Sequence, residues 1–472
     1  MQLIGRKEEQ KTFKHMMQST ESKLVAVYGR RRIGKTFLIR KYFDTKFTFE
    51  IVGLHNGNMK DQIRHFVQTL VRHGYAEAMV AHPYTWMETF DLFSLYLNKL
   101  KGKEKKVIFF DELPWFDTPR SKFLMAFEHF WNAFCTKRSD ILLIICGSSA
   151  SWMIKKILQN KGGLHNRISE KMQILPFTLS ETKLFLNEKG IKWSMYDIAQ
   201  LYMTMGGIPY YLDAVRKGES VVQCIDRLCF QKTGLMYNEF EELYTSLFSN
   251  SDNHKKIISI LASSKGGMTR DELIIKSKLP SGGNLTSTMD ELVKSNFIIP
   301  WTPYGRKQNK LVFKIEDFFT LFYFKFMHGR SGRQQENWTK LVKNQSWVSW
   351  SGFAFERLCF THTDQIKKAL GLSVIQTQIY GWKSQNDDEG AQIDLIIDRA
   401  DNIIHLCEIK FCNATFVIDK SYAAKLRNKV ASFSKVVKKK TLFLTMVTTF
   451  GTLDNEYYKE LVQNEVTLED IF

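Results

Sequence analysis

At 472 residues with 44% hydrophobic side chains, the chain is long enough for roughly two to four domains with cores of their own. Lys and Arg outnumber Asp and Glu 67 to 49, a formal charge of +18 that favours an anionic partner, nucleic acid first. No apolar run reaches membrane-spanning length, residues 1–7 show no signal-peptide core, and the seven scattered cysteines lack zinc-site spacing. These features argue against a membrane span, a secretory leader and a zinc framework, and the expectation is a cytoplasmic protein with reduced thiols.

In chain order, the first strong element is the apolar run Leu24 to Tyr28, which reads as a buried strand. It runs into Gly29, Arg30, Arg31, Arg32, Ile33, Gly34, Lys35 and Thr36, a complete G-x-x-x-x-G-K-[ST] box, and Phe37 to Phe43 continues as an amphipathic helix. Strand, glycine loop and helix together suit a nucleoside triphosphate. Gly29 and Gly34 let the backbone curl its N–H groups toward phosphate oxygens, and the helix start adds the positive end of its dipole. Lys35 is expected to reach the β- and γ-phosphates and the Thr36 hydroxyl to hold Mg²⁺.

Lys106 to Phe110 reads as a parallel strand buried on both faces and ends in Asp111 and Glu112. Ligands of such sheets bind beyond the carboxyl ends of the strands. Asp111 is therefore expected to hold Mg²⁺ through water, and Glu112 to orient and deprotonate the attacking water. A third strand, Ile141 to Cys146, ends in Gly147, Ser148 and Ser149, where the Ser148 hydroxyl is a candidate sensor of the γ-phosphate.

Alternating strands and helices predict an α/β parallel sheet over 1–178. Over 179–250 the pattern turns helical, with a helix start at Ser180 to Thr182 and a break at Gly206 to Pro209, as a helical lid would have. Over 251–328, helices at Lys255 to Ser263, from Met268, and at Asn284 to Ser295 precede strands Phe297 to Ile299 and Lys310 to Phe313 around the turn Pro303 to Arg306. Three helices and a hairpin describe a winged helix. Its third helix carries Lys294 against Asp290 and Glu291, so reading a DNA major groove and a structural or protein-contact role both stay open. The aromatic run Asp317 to Phe326 is expected to be core, and Gly329 to Arg333 an exposed linker.

The fourth segment, 329–472, begins a new α/β unit, with a helix opened by Gly352 to Glu356. Ala391 to Ile397 reads as a strand with Asp394 inside it, and Ile403 to Lys410 as a second, joined by the turn 398–402. On that hairpin Asp394 converges with Glu408 and Lys410, which are two apart and share a face. Asp394 and Glu408 suit Mg²⁺ or Mn²⁺ as hard oxygen ligands, and Lys410 can orient water or steady phosphate charge. Charges inside apolar strands are costly unless paired or metal-bound. Lys425, Arg427, Lys429, Lys435, Lys438, Lys439 and Lys440 follow with no acidic residue between them, a solvated face or a phosphate track.

Ile4 to Arg6, the box Gly29 to Thr36, Asp111 to Trp115, Gly147 to Ser149 and Gly206 to Tyr210 together resemble the archaeal-type ATPase family of prokaryotes, among the AAA+-like and STAND-type P-loop NTPases. The resemblance implies an ATPase using ATP and Mg²⁺, with Arg167 in the segment Gly163 to Arg167 as an arginine finger. It also implies a winged helix and a C-terminal restriction-endonuclease-like domain of the PD-(D/E)XK type, whose pattern Glu356, Asp394, Glu408 and Lys410 match. Ile393 stands where that pattern has proline. The reading that follows is an ATPase acting on or near DNA, in a possible homo-oligomer. Its rival is a nucleotide-gated switch that binds a protein or nucleic acid and cuts nothing.

Overall fold

The three runs read as strands around the glycine box lie side by side in one sheet, and their loops share an edge. The computed structural model describes residues 3–472 except 103, 160–161, 165, 249, 265, 281, 306–310, 330–337, 343, 385–389 and 438. The chain divides into two units, Met1–Pro176 and Phe177–Phe472.

The first unit holds β1 (Lys23–Tyr28), β2 (Phe47–Val52), β3 (Lys106–Asp111), β4 (Ile141–Gly147) and β5 (Glu170–Gln173). All pairings are parallel and the order is β2-β3-β4-β1-β5. Every residue of β3 and β4 is buried, as expected of central strands covered on both faces. Lys106, the one charged residue at the start of β3, turns its ammonium to the carbonyls of Gly102 (2.9 Å) and Glu104 (3.1 Å). Helices Met59–Arg72 and Trp86–Lys99 each start at a capping box, Asn58 with Asp61 and Thr85 with Glu88. They deliver Phe66, Phe90 and Phe93 to an aromatic core shared with Phe49, Phe110 and Phe130.

The helical stretch falls within the second unit. Its first helix, Leu179–Glu188, starts one residue before the expected Ser180 because Thr178 caps it by accepting from the Glu181 N–H. Gly206 ends helix Met195–Met205 at φ 68°, and Pro209 opens Pro209–Asp213. Helices Ser251–Ala262, Arg270–Ser277 and Gly283–Lys294 accompany β6 (Met268–Thr269), β7 (Ile298–Trp301) and β8 (Val312–Ile315), an antiparallel sheet in the order β6-β8-β7. The expected strand over Lys310 to Phe313 lies two residues later, and Arg306 and Lys310 lie outside the described residues. Phe318, Phe319, Phe322 and Phe326 are buried, packing Phe322 and Phe326 against Trp338 and Trp350. Of the expected linker only Gly329 is described.

Gly352 does not open its helix. The helix runs Gln345–Thr361 with Gly352 in its middle, anchored from its first turns by buried Trp347 and Trp350. The last sheet has the order β13-β12-β11-β10-β9, from β9 (Thr377–Lys383), β10 (Gln392–Arg399), β11 (Ile403–Lys410), β12 (Thr441–Thr448) and β13 (Asn464–Thr467). β9, β10 and β11 pair antiparallel, whereas β11, β12 and β13 pair parallel. Helix Lys420–Ser434 covers one face through Ala423, Leu426 and Phe433. Among the described residues no helix is long and apolar enough to cross a membrane. All seven cysteines are free, six of them buried.

Candidate functional sites

Parallel pairing puts the carboxyl ends of β1, β3 and β4 on one edge, with β4 between the other two. The loop after β1 makes its first sharp turn at Gly29, where φ is 145° and an added Cβ would meet the Ile174 carbonyl oxygen at 2.5 Å. Only glycine fits there. Gly34, at φ 83°, ends the loop and starts helix Lys35–Phe43. The buried Lys35 Nζ donates to the carbonyls of Gly29 (3.0 Å) and Arg30 (2.9 Å), so the ammonium is held inside the curl of the loop.

The Thr36 hydroxyl donates to Asp111 Oδ2 (2.8 Å), joining the helix start to the end of β3, and the Glu112 N–H donates to Asp111 Oδ1 (3.0 Å). Thr36 and Asp111 thus present a hydroxyl and a carboxylate side by side, a donor set that fits a small hard cation. Glu112 has a left-handed backbone, φ 48°, and its Oε2 accepts from both the N–H (3.0 Å) and the Oγ (2.8 Å) of Ser148. The expected sensor hydroxyl therefore holds the expected base. Arg167 is exposed in the loop before β5, the strand beside β1. Arg31 is exposed, and Ile33 is buried in the loop.

The second site lies within the second unit. The β10 register slips between Ile393 and Ile396, a bulge at Asp394 of the kind that re-aims a side chain. The antiparallel register pairs Leu395 with Cys407, the neighbours of Asp394 and Glu408, and Asp394 Oδ2 accepts from the Ile409 N–H (3.4 Å). Glu356, Asp394 and Lys410 line one cleft of about 1150 Å³. Burial, then the neighbouring Asp394, raises the Glu356 carboxyl to about 8. Burial, then Glu408, raises Asp394 to about 6.

Glu408 is almost wholly buried, 2% exposed, and is engaged on both oxygens. Tyr422 donates to Oε1, Lys410 pairs with Oε1 (3.0 Å), and Lys429 pairs with Oε2 (2.6 Å). Burial works against its charge, but Lys410 and Lys429 outweigh burial and hold its carboxyl below the ordinary range. The same ion pair outweighs burial at Lys410 and raises its ammonium. The crowded Asp394 and Glu356 fit a cation that would relieve their repulsion. Glu408, held by three donors, does not fit one as arranged, and among the described residues no three His, Cys, Asp or Glu converge as a metal cluster.

The basic run is not a continuous track. Lys429 is spent on Glu408, Arg427 on Glu460 (2.6 Å) and Lys440 on Asp398, whereas Lys435 lines the cleft and Lys438 lies outside the described residues. Sequence reasoning missed Tyr422 and Lys429 as partners of Glu408. Their signal was spacing, because Tyr422, Leu426, Lys429 and Phe433 fall on one helical face, where two polar side chains interrupt an apolar stripe. It also missed Lys314 on β8, which lines the cleft with its Nζ over Trp301 (5.0 Å) and Phe360 (5.8 Å). Burial, then the nearby Arg357, lowers the Lys314 ammonium to about 8.

Residues 3–215 match the model of an ATPase domain predominantly from Archaea. An uncharacterized protein of Methanocaldococcus jannaschii is 27% identical over 403 residues, covering 83% of each chain. An uncharacterized ATP-binding protein of the same organism is 40% identical over 43 residues, 9% of this chain and 73% of that one. Among solved structures, a Walker-type ATPase of Pyrococcus abyssi has the same fold with a TM-score of 0.50 and 19% identity, over 68% of this chain and 96% of that one.

Proposed function

We propose, from the match of residues 3–215 to an ATPase domain predominantly from Archaea, that the protein is a Mg²⁺-dependent ATPase acting on nucleic acid, DNA first, through its second unit. The observation that carries the ATPase reading is the joined pair of contacts at the sheet edge, Thr36 to Asp111 and Ser148 to Glu112. The loop N–H groups and Lys35 bind the phosphates. Thr36 and Asp111 would hold Mg²⁺, which when bound neutralises phosphate charge. Glu112 orients the attacking water and accepts its proton, and Ser148 fixes the carboxylate that does so. Arg167, exposed on its loop, serves as a finger to the phosphates of a neighbouring copy in a homo-oligomer.

Support for nucleic acid comes from the +18 charge and from the cleft that gathers Lys314, Lys410 and Lys435 near Glu356 and Asp394. The three helices and hairpin of 251–328 are read as a winged helix, and 329–472 as the nuclease-like domain. Metal-dependent cleavage draws on the crowding of Asp394 and Glu356. The rival, a nucleotide-gated switch that binds without cutting, draws on the occupied oxygens of Glu408. Incubating the protein with single- and double-stranded DNA and RNA, with and without ATP, in Mg²⁺ or Mn²⁺, separates them. Cleavage lost in both Asp394→Ala and Glu408→Ala, with ATP hydrolysis intact, supports the nuclease. Nucleotide-dependent binding without cleavage supports the switch.

A further inference from the structure

The β7–β8 hairpin is fastened to the C-terminal sheet. The Tyr304 N–H, just past β7, donates to the Gly381 carbonyl of edge strand β9 (2.9 Å), and the Tyr304 ring packs on Tyr380 (5.2 Å) and Phe433 (5.1 Å). At the far end of β8, Glu316 pairs with Arg357 on the helix that carries Glu356. Arms held at both ends in this way are poorly placed to follow a groove of a duplex. The third helix is poorly suited to a groove as well. Its one basic residue, Lys294, pairs with Asp290 (2.8 Å), and Glu291 engages His254 (3.0 Å).

What the hairpin does instead is wall the cleft. Trp301 and Lys314 line it from β7 and β8, Trp382 from β9, and Phe360 from the helix, one turn beyond Glu356, with Asp394 in the same lining. Among the described residues Lys314 has no carboxylate in ion-pair contact, and its ammonium rests over two aromatic faces. At about 1150 Å³ the space is comparable to or a little larger than that of a small-ligand pocket. That volume suits a few nucleotides of one strand. Aromatic faces beside cations are the chemistry that binds unpaired strands, bases stacking on rings while phosphates meet ammonium groups.

The geometry points to one composite site for an unpaired nucleic-acid strand, in which the β6–β8 sheet forms a wall and Lys314 holds a phosphate beside Glu356 and Asp394. The inference rests on the nucleic-acid reading above and adds which strand form is taken and which residues outside the C-terminal sheet take it. Its sequence-independent contacts apply equally to DNA and RNA.

The test uses the full chain with fluorescent oligothymidylate, oligouridylate and a duplex of equal length, in Ca²⁺ to hold off cleavage, read by anisotropy from roughly 50 to 200 mM salt. Single strands should bind more tightly than the duplex. Lys314→Met should weaken single-strand binding about 10- to 150-fold, as expected for one charge-assisted contact, and flatten the log–log salt slope by about 0.7. Lys314→Arg should restore both. Trp301→Ala should weaken binding about five- to 150-fold with the salt slope unchanged. Trp301→Phe, which keeps the ring, should recover most of it and guards against a folding defect, as do unchanged melting and ATP hydrolysis. Preferential duplex binding, or single-strand binding untouched by Lys314→Met and Trp301→Ala, overturns the composite site and leaves the nucleic-acid reading standing. A wild-type chain that binds none of the three at low salt overturns both.

Discussion

Replacing Glu112 by Gln removes the proposed base while leaving almost everything around it in place. The left-handed backbone at residue 112 costs about 1–2 kcal/mol for any non-glycine residue, so that strain cancels between wild type and variant. The amide oxygen of Gln can still accept from the Ser148 N–H and Oγ, now 3.0 and 2.8 Å from Glu112 Oε2. Exchanging a charged acceptor for a neutral one in those bonds costs about 1 kcal/mol, too little to unfold the domain. Nucleotide binding, assigned above to Lys35 and the loop, should stay within a few-fold. The chemical step should lose the weight of a general base, about 10²- to 10⁴-fold, or roughly 3–5 kcal/mol of barrier. Equilibrium binding of a fluorescent ATP analogue and steady-state phosphate release measure the two separately. Turnover within tenfold of wild type would refute the assignment of Glu112, and a parallel loss of binding would mean that its link to Ser148 shapes the site rather than the chemistry.

Lys35→Ala removes the ammonium held at Gly29 and Arg30, and nucleotide binding should fall about 10- to 150-fold, the worth of a charge-assisted contact, with melting unchanged; unaltered affinity in calorimetry would contradict the phosphate role. Arg167→Ala should slow hydrolysis without weakening ATP binding, and mixing it with Lys35→Ala should recover turnover if the guanidinium acts across an interface, whereas no recovery at any mixing ratio assigns it to its own subunit or to none. A pH effect follows from His362, lowered to about 4 by burial, whose Nδ1–H donates to Leu358 O (2.9 Å) and whose Nε2 accepts from Leu179 N (3.0 Å). Unfolding raises it to about 6.5, so the unfolded chain binds the proton first and stability, full above that value, is lost as pH falls toward 4, by roughly 3 kcal/mol. Urea midpoints of the wild type should drop across that window and those of His362→Asn should drop less; equal slopes would assign the loss to other groups.

The geometry of the proposed nucleotide site was legible because its parts are short-range. A glycine box needs only local backbone freedom and its own lysine, and Lys35, Gly29 and Gly34 stand where the motif puts them. Two fully buried strands announce themselves as unbroken apolar runs, so β3 and β4 were readable too. The start of the helix bearing Glu356 was misread because Gly352 looks like a boundary in sequence, while Trp347 and Trp350 carry the helix through it by burial against partners distant in the chain. Strand alternation brought Glu408 and Lys410 onto one face, and helical spacing put Tyr422 and Lys429 on another, but spacing does not say that the two faces meet at one carboxylate. What the sequence determined by itself is therefore the chemistry that lives within one turn or one strand: the phosphate loop, the carboxylates at a strand end, the charges set into apolar runs. The tertiary structure alone decided that Ser148 grips Glu112, that Glu408 is surrounded by donors, and that Lys314 shares a cleft with Glu356 and Asp394. Those pairings depend on strand order and on burial, which select partners from across the chain, and a linear pattern carries neither.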